Sequence, residues 1–249
     1  MLVLLPPSET KHAGGDGGPL DLSALALPAL LPQRRATVDA LVALSEDPVN
    51  AMRVLKLSAR QHGEVAVNAA VPTAPTMPAI DRYTGVLYDA LHAGTLDAAA
   101  RRWSGVHVMI QSAPFGPIGA LDPIPAYRLA AGTSVPGIPA LRRHWAEAST
   151  AALAAARPDF ILDLRSEAYA ALAPVPASVP SAFVRVVTPG EDGAVRALNH
   201  FNKHAKGAFT RALAQSRPRV GSRAGLLRWA ESSGWSLREG AAGELDLVV

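Results

Sequence analysis

Leu2-Val3-Leu4-Leu5-Pro6-Pro7-Ser8-Glu9-Thr10-Lys11 is the stretch that sets the fold class. Its first four residues form a continuous apolar run, short enough for a strand covered on both faces. Pro6-Pro7 stops that strand, because proline brings no N–H to a ladder. A buried strand that ends in a polar loop is a common place for a ligand site in α/β proteins. Ser8 and Thr10 offer hydroxyls there, Lys11 a cation and Glu9 a candidate base, without the glycine spacing of a Walker loop.

The same kind of run recurs along the chain, separated by helical patterns. Val106–Ile110, Phe160–Leu164 and Ala182–Val187 read as strands, and Ser236–Leu237 against Leu245–Val249 as a C-terminal hairpin. Arg34–Ser45, Asp47–Ala59, Tyr83–Leu91, Leu96–Trp103, Pro139–Arg157, Leu198–Ala214 and Gly225–Ser232 read as helices. Ala113–Pro125, with four prolines, reads as a shaped loop and Pro72–Pro78 as a connector. Strands interleaved with helices at irregular spacing predict a mixed α/β fold, a central mixed sheet with flanking helices, in one compact domain over residues 1–249.

Composition removes several classes. The chain has 249 residues, 49% hydrophobic, with 48 alanines and only 5% aromatic residues. No apolar run reaches the roughly 18 residues of a membrane span. The opening segment lacks a basic n-region and meets proline early, which reads against a signal peptide. With no cysteine there is no disulfide, thiolate nucleophile, iron–sulfur cluster or thiol peroxide sensor. These features predict a cytoplasmic protein with no membrane partner and no cofactor.

The formal charge of +3 is unevenly spread. Phe183 to Arg238 holds ten Lys/Arg against Glu191, Asp192 and Glu231, or +7, which leaves −4 elsewhere. Within Leu198–Ala214, Asn199, Lys203, Lys206 and Thr210 form one helical stripe, with Leu198, Phe201, Ala205, Phe209 and Leu213 opposite. The stripe reads either as an anion site or as an ordinary solvated face. Gly207 within it lets another backbone or a ligand approach. His200 and His204 are spaced i, i+4, but no zincin glutamate or third ligand accompanies them, so no metal site is predicted. The four tryptophans read as packing residues. Asp122 and Asp163 read as loop anchors or partners of Arg128 and Arg165, and Glu9 as a partner of Lys11.

Five motifs stand out in order: Leu4-Leu5-Pro6-Pro7-Ser8-Glu9-Thr10-Lys11; Arg82-Tyr83-Thr84-Gly85-Val86-Leu87-Tyr88; Ser112 through Asp122 to Pro125-Ala126-Tyr127-Arg128-Leu129; Asp163-Leu164-Arg165-Ser166-Glu167-Ala168-Tyr169; and Asn202-Lys203-His204-Ala205-Lys206-Gly207. Together they resemble the YaaA (peroxide stress protein) family, in its actinobacterial-type branch, over nearly the whole chain. The departures are Thr10 where glycine is common, Gly119 where arginine is common, and Ala208 where a basic residue is frequent. The resemblance implies a single-domain YaaA-like fold and a cytoplasmic protein of the hydrogen peroxide response that limits damage from unincorporated iron. It also implies DNA binding in a basic cleft with a helix-hairpin-helix, for which Pro218–Gly225 and the following helix are the candidate stretch.

If the motifs converge, Lys11, Arg128, Arg165, Lys203 and Lys206 would hold phosphate oxygens of DNA or of a small anionic ligand. The alternative is a small-molecule enzyme, a hydrolase or lyase acting on a nucleotide- or nucleoside-like anion. Its catalytic candidates are Ser8, Glu9, Lys11, Ser112, Tyr127 and Glu167.

Overall fold

The structure is a computed structural model. It describes residues 1–189, 195–196 and 199–249, and the side chains outside residues 189–200. What the sequence suggests for Glu191, Asp192 and Leu198, and for the side chains of Arg196, Asn199 and His200, therefore lies outside the described residues.

The strands are β1 (Leu2–Leu5), β2 (Met77–Pro78), β3 (Val108–Ser112), β4 (Gly116–Gly119), β5 (Pro123–Ile124), β6 (Ile161–Asp163), β7 (Ser181–Pro189), β8 (Val195–Arg196), β9 (Leu237–Glu239) and β10 (Glu244–Val248). Helices α1 (Leu31–Ser45), α2 (Pro48–Val54), α3 (Gly63–Ala69), α4 (Ala79–Arg82), α5 (Val86–Leu91) and α6 (Ala98–His107) lie between β1 and β3, with β2 among them. Helices α7 (Leu141–Ala155), α8 (Glu167–Ala170), α9 (Asn199–Ser216) and α10 (Arg223–Ser232) follow. No helix among the described residues is long and apolar enough to cross a membrane.

One mixed sheet runs β4-β3-β1-β6-β7-β10-β9, with β8 pairing β7 beside it, and β2 and β5 form a separate small pair. The five central strands are mutually parallel, while β4 and β9 close the edges antiparallel. Strand β1 is buried along its whole length. Leu2 and Leu4 join Met109, Leu153 and Ile161 on one face, while Val3 and Leu5 belong to the larger core on the other. That is why the sequence shows a continuous apolar run there and no alternation.

The connections place the site. From β1 the chain crosses α1–α6 and returns to β3 on one side of β1, whereas β6 leads to β7 on the opposite side. Strands β1 and β6 are neighbours in register, Val3 opposite Leu162. Their carboxyl ends therefore open a crevice where the winding direction reverses, the position at which open α/β sheets bind ligands.

Some boundaries differ from the sequence reading. Ala113–Pro125 is not only loop: it folds back as β4, with Ile118 opposite Ile110, and Pro123–Ile124 pairs with Met77–Pro78. Asp47 does cap α2, its carboxylate accepting from the Asn50 N–H at 3.1 Å, but the helix ends at Val54. A separate helix, α3, follows after Lys56 takes a positive φ of 54°. Phe201 is 61% exposed, so the apolar face of α9 consists of Ala205, Phe209 and Leu213.

Candidate functional site

Backbone pairing draws the first two motifs together. Lys11 bridges Tyr83, and the N–H of His12 and of Thr84 donate to the carbonyls of Arg82 (2.9 Å) and Thr10 (3.1 Å). The Arg82 guanidinium is buried and donates to three carbonyls, of His12, Pro75 and Ile124, locking this crossing from behind. Gly85 must be glycine: its φ is +93°, and a Cβ there would come within 3.4 Å of both the Ser8 and Thr10 hydroxyls.

Over this crossing lies a cavity of about 660 Å³ at the carboxyl ends of β1 and β6. Ser8, Glu9 and Thr10 form one lip, with Thr84, Gly85 and Tyr88 beside them. Ser166 and Tyr169 come from the segment after β6, and Asn202, Lys203 and Lys206 from the first two turns of α9. The third motif itself stops short of this space: the residues just after it, Ala130–Gly132, line the cavity, while its Arg128 and Leu129 line the smaller adjoining one. Four of the five motifs thus meet around one space, and the third borders the cavity beside it.

Helix α9 reaches the cavity because it lies directly on α5. A Cβ at Gly207 would meet the Leu87 carbonyl oxygen at 2.0 Å, so the close approach that glycine permits is to another backbone. Arg211 fixes the contact by donating to the Leu91 and His92 carbonyls at the end of α5. Consequently the Lys203–Thr210 stripe is not a solvated face: Lys203 is exposed, but Lys206 is 5% exposed and Thr210 is buried.

The Lys206 ammonium donates to the Arg165 carbonyl at 3.4 Å and lies 5.4 Å from the Phe183 ring. Burial pulls it down to about 8, assisted by the Arg185 charge and opposed by Asp163. Lys11 sits outside the cavity wall, its ammonium 4.0 Å from the Tyr127 ring centre and bonded to the Ser8 and Glu9 carbonyls. Enclosure, and then the nearby Arg128 charge, bring it to about 7.

The remaining candidates divide. Ser8 and Glu9 line the cavity, with Glu9 paired to Arg128 at 2.8 Å and not to Lys11. Arg128 and Glu9 both line a smaller adjoining cavity of about 290 Å³, together with Lys56. Ser112 and Tyr127 lie beneath: Ser112 donates to the Tyr127 hydroxyl at 3.0 Å, and Tyr127 shares a 2.7 Å bond with the Tyr83 hydroxyl. Burial holds the Tyr83, Tyr88 and Tyr127 phenols well above their usual range, so none supplies a phenolate at neutral pH. Arg165 is turned inward onto Asp163 by contacts of 2.6 and 2.8 Å. Glu167 is exposed and faces Arg185 at 3.2 Å. Asp122 accepts from the Ala26 and Gly119 N–H groups, anchoring the loop and leaving Arg128 to Glu9.

The C-terminal charge excess is partly met by acids from elsewhere. Arg185, Arg217, Arg223 and Arg238 face Glu244, Asp97, Glu239 and Asp246. Arg217–Ser222 joins α9 to α10, and the Ser222 hydroxyl caps the second helix by accepting from the Gly225 N–H at 3.2 Å. Sequence reasoning missed Arg34, which is fully buried and donates to four carbonyls, including those of Phe115 and Pro117. The signal was an arginine at i−4 to Val38 and i−7 to Leu41, on the helix's apolar stripe.

An open, mainly parallel α/β sheet with a lysine-flanked cavity at its switch point is the class of protein defined here. The chain belongs to the family of the peroxide stress protein YaaA, whose family model matches residues 1–241. It is 44% identical over 256 residues to a UPF0246 protein of Corynebacterium efficiens, covering all of both chains. A UPF0246 protein of Streptomyces coelicolor is 43% identical over 215 residues, covering 86% of this chain and 82% of that one. One from Bordetella pertussis is 27% identical over 222 residues.

Proposed function

We propose that this chain serves the response to hydrogen peroxide by binding a small phosphate- or carboxylate-bearing ligand in the switch-point cavity. One observation carries the reading: four of the five sequence motifs line that cavity, with Lys203 at its mouth and Lys206 in its wall. An exposed and a buried ammonium on one helix face suit an anion held partly out of water, while Ser8, Thr10 and Ser166 hydroxyls fix its orientation. The volume suits a nucleotide-sized molecule. In this reading the protein is cytoplasmic and lowers iron-driven damage indirectly, through the ligand it handles, since it has no thiol to sense peroxide.

A second reading, binding of DNA phosphates, rests on the α9–turn–α10 arrangement with Arg219 exposed in the turn. Calorimetric titration separates the two. Adenosine monophosphate and pyrophosphate are expected to bind the wild type and to lose at least tenfold in affinity in Lys203→Ala. Duplex binding that falls steeply with salt and is lost in Arg219→Glu, with no small-anion binding, would replace the cavity reading by the DNA one. Absence of both overturns the anion assignment.

A further inference from the structure

The chain uses arginine as its ordinary cation, with twenty arginines against four lysines. The four lysines are not scattered. Lys203 and Lys206 line the large cavity, Lys56 lines the adjoining one, and Lys11 bonds the carbonyls of two residues of the lip. Arginine is permanently charged and its guanidinium is no amine nucleophile, whereas a buried lysine can give up its proton and attack carbon. A site that needed only positive charge could have been built from the arginine used everywhere else.

Lys206 differs from the buried arginines in how it is satisfied. Arg34 donates to four carbonyls, Arg82 to three, and Arg165 to both oxygens of Asp163 and to Gln111. The Lys206 ammonium, 95% removed from solvent in the cavity wall, has a single 3.4 Å bond among the described residues. The nearby carboxylate, Asp163, is already held by Arg165. A lysine kept for stability would be expected to have a carboxylate or several carbonyls of its own.

We propose that Lys206 condenses with the carbonyl group of a small anionic aldehyde or 2-oxo acid in the cavity, forming a covalent imine. The neutral amine adds to the carbonyl carbon, a C–N bond forms, and the carbonyl oxygen leaves as water with two protons from the amine nitrogen. Lys203, one turn earlier on α9, faces the same space and supplies the charge that holds the substrate's carboxylate or phosphate. The segment carrying Ser166 and Tyr169 lines the same space, next to the Arg165 carbonyl that Lys206 bonds. Burial also leaves roughly one Lys206 side chain in ten as free amine at pH 7, since it titrates near 8. This inference rests on the anion-binding reading of the same cavity.

Reductive trapping tests it on the full chain. Glyoxylate or glyceraldehyde 3-phosphate is added with sodium cyanoborohydride, and adducts are mapped by peptide mass spectrometry; glycolate and glycerol 3-phosphate, which lack the carbonyl, serve as competitors and as ligands in thermal-shift assays. The expected result is labelling of Lys206 at least tenfold above Lys56 and the N-terminal amine, suppressed by the competitors and absent in Lys206→Arg and Lys206→Met. Thermal shifts with both pairs of compounds, but labelling spread over the lysines and the terminus or centred on Lys203, would overturn the imine and leave the anion reading standing. No shift and no selective label would remove both. Because the wild-type map is itself decisive, poor folding of a variant does not blunt the test.

Discussion

Asp163 holds the Arg165 guanidinium inside the protein, with both oxygens engaged and the Arg165 N–H also donating to Oδ1 at 3.0 Å. The pair is not only structural filler, because the Arg165 carbonyl is the acceptor for Lys206. Removing one partner of a buried pair leaves the other charge uncompensated, which typically costs about 3–5 kcal/mol. Asp163→Asn is therefore expected to lose stability of that order in urea unfolding. Asp163 also favours the charged form of Lys206, so the same change should lower the Lys206 titration below about 8. Unchanged stability would mean that Arg165 finds other partners at no cost. At this scale the sequence was readable where neighbours in the chain interact, as in the pairing of Asp163 with Arg165 two residues on. It was not readable for Glu9, whose partner Arg128 is 119 residues away and is brought to it by the fold.

Helix α9 shows what periodicity can and cannot tell. Its extent and its Ala205–Phe209–Leu213 face follow from spacing, but beyond the exposed Lys203 the other stripe, Lys206 and Thr210, also goes inward, with α5 packed against Gly207 beside it. No property of the α9 sequence alone reveals that second covering; Gly207 was the clue, since a mid-helix glycine costs about 1 kcal/mol relative to alanine without a reason to be there. The reason is the Leu87 carbonyl. Gly207→Ala forces a methyl into backbone that cannot swing away, so a loss of about 1–3 kcal/mol is expected in spite of the better helix propensity. Thermal unfolding checks the sign: a stabilised variant would show that α5 yields. Because α9 carries Lys203 and Lys206, separation of the two helices should also weaken anion binding in the cavity. Strands β4 and β5 were hidden for a related reason: Gly116-Pro117-Ile118-Gly119 has the composition of a loop, and pairs with β3 only because Gly116 takes φ +68° against Trp145.

Across the whole molecule, the titration of enclosed groups sets how stability varies with pH. Lys11 and Lys206 titrate near 7 and 8 in the folded chain, against 10.5 for an exposed lysine. Between about 7 and 10 the unfolded chain thus binds more protons than the folded one, and stability rises with pH. Each lysine contributes up to about 1.4 kcal/mol per pH unit within its own window. The buried tyrosines act in the opposite direction above about 10: the unfolded chain loses phenolic protons there while Tyr83, Tyr88 and Tyr127 keep theirs, so stability falls again. Urea midpoints at pH 7, 8, 9 and 10 should climb steadily, against the usual optimum of about pH 5 to 8. In Lys11→Met the climb should be absent from 7 to 8 and about half as steep from 8 to 10. A flat profile in the wild type would mean that water reaches both ammonium groups. It would remove the shared feature of the site: lysines placed where the fold, folded around the β1–β6 crevice, holds them short of full charge.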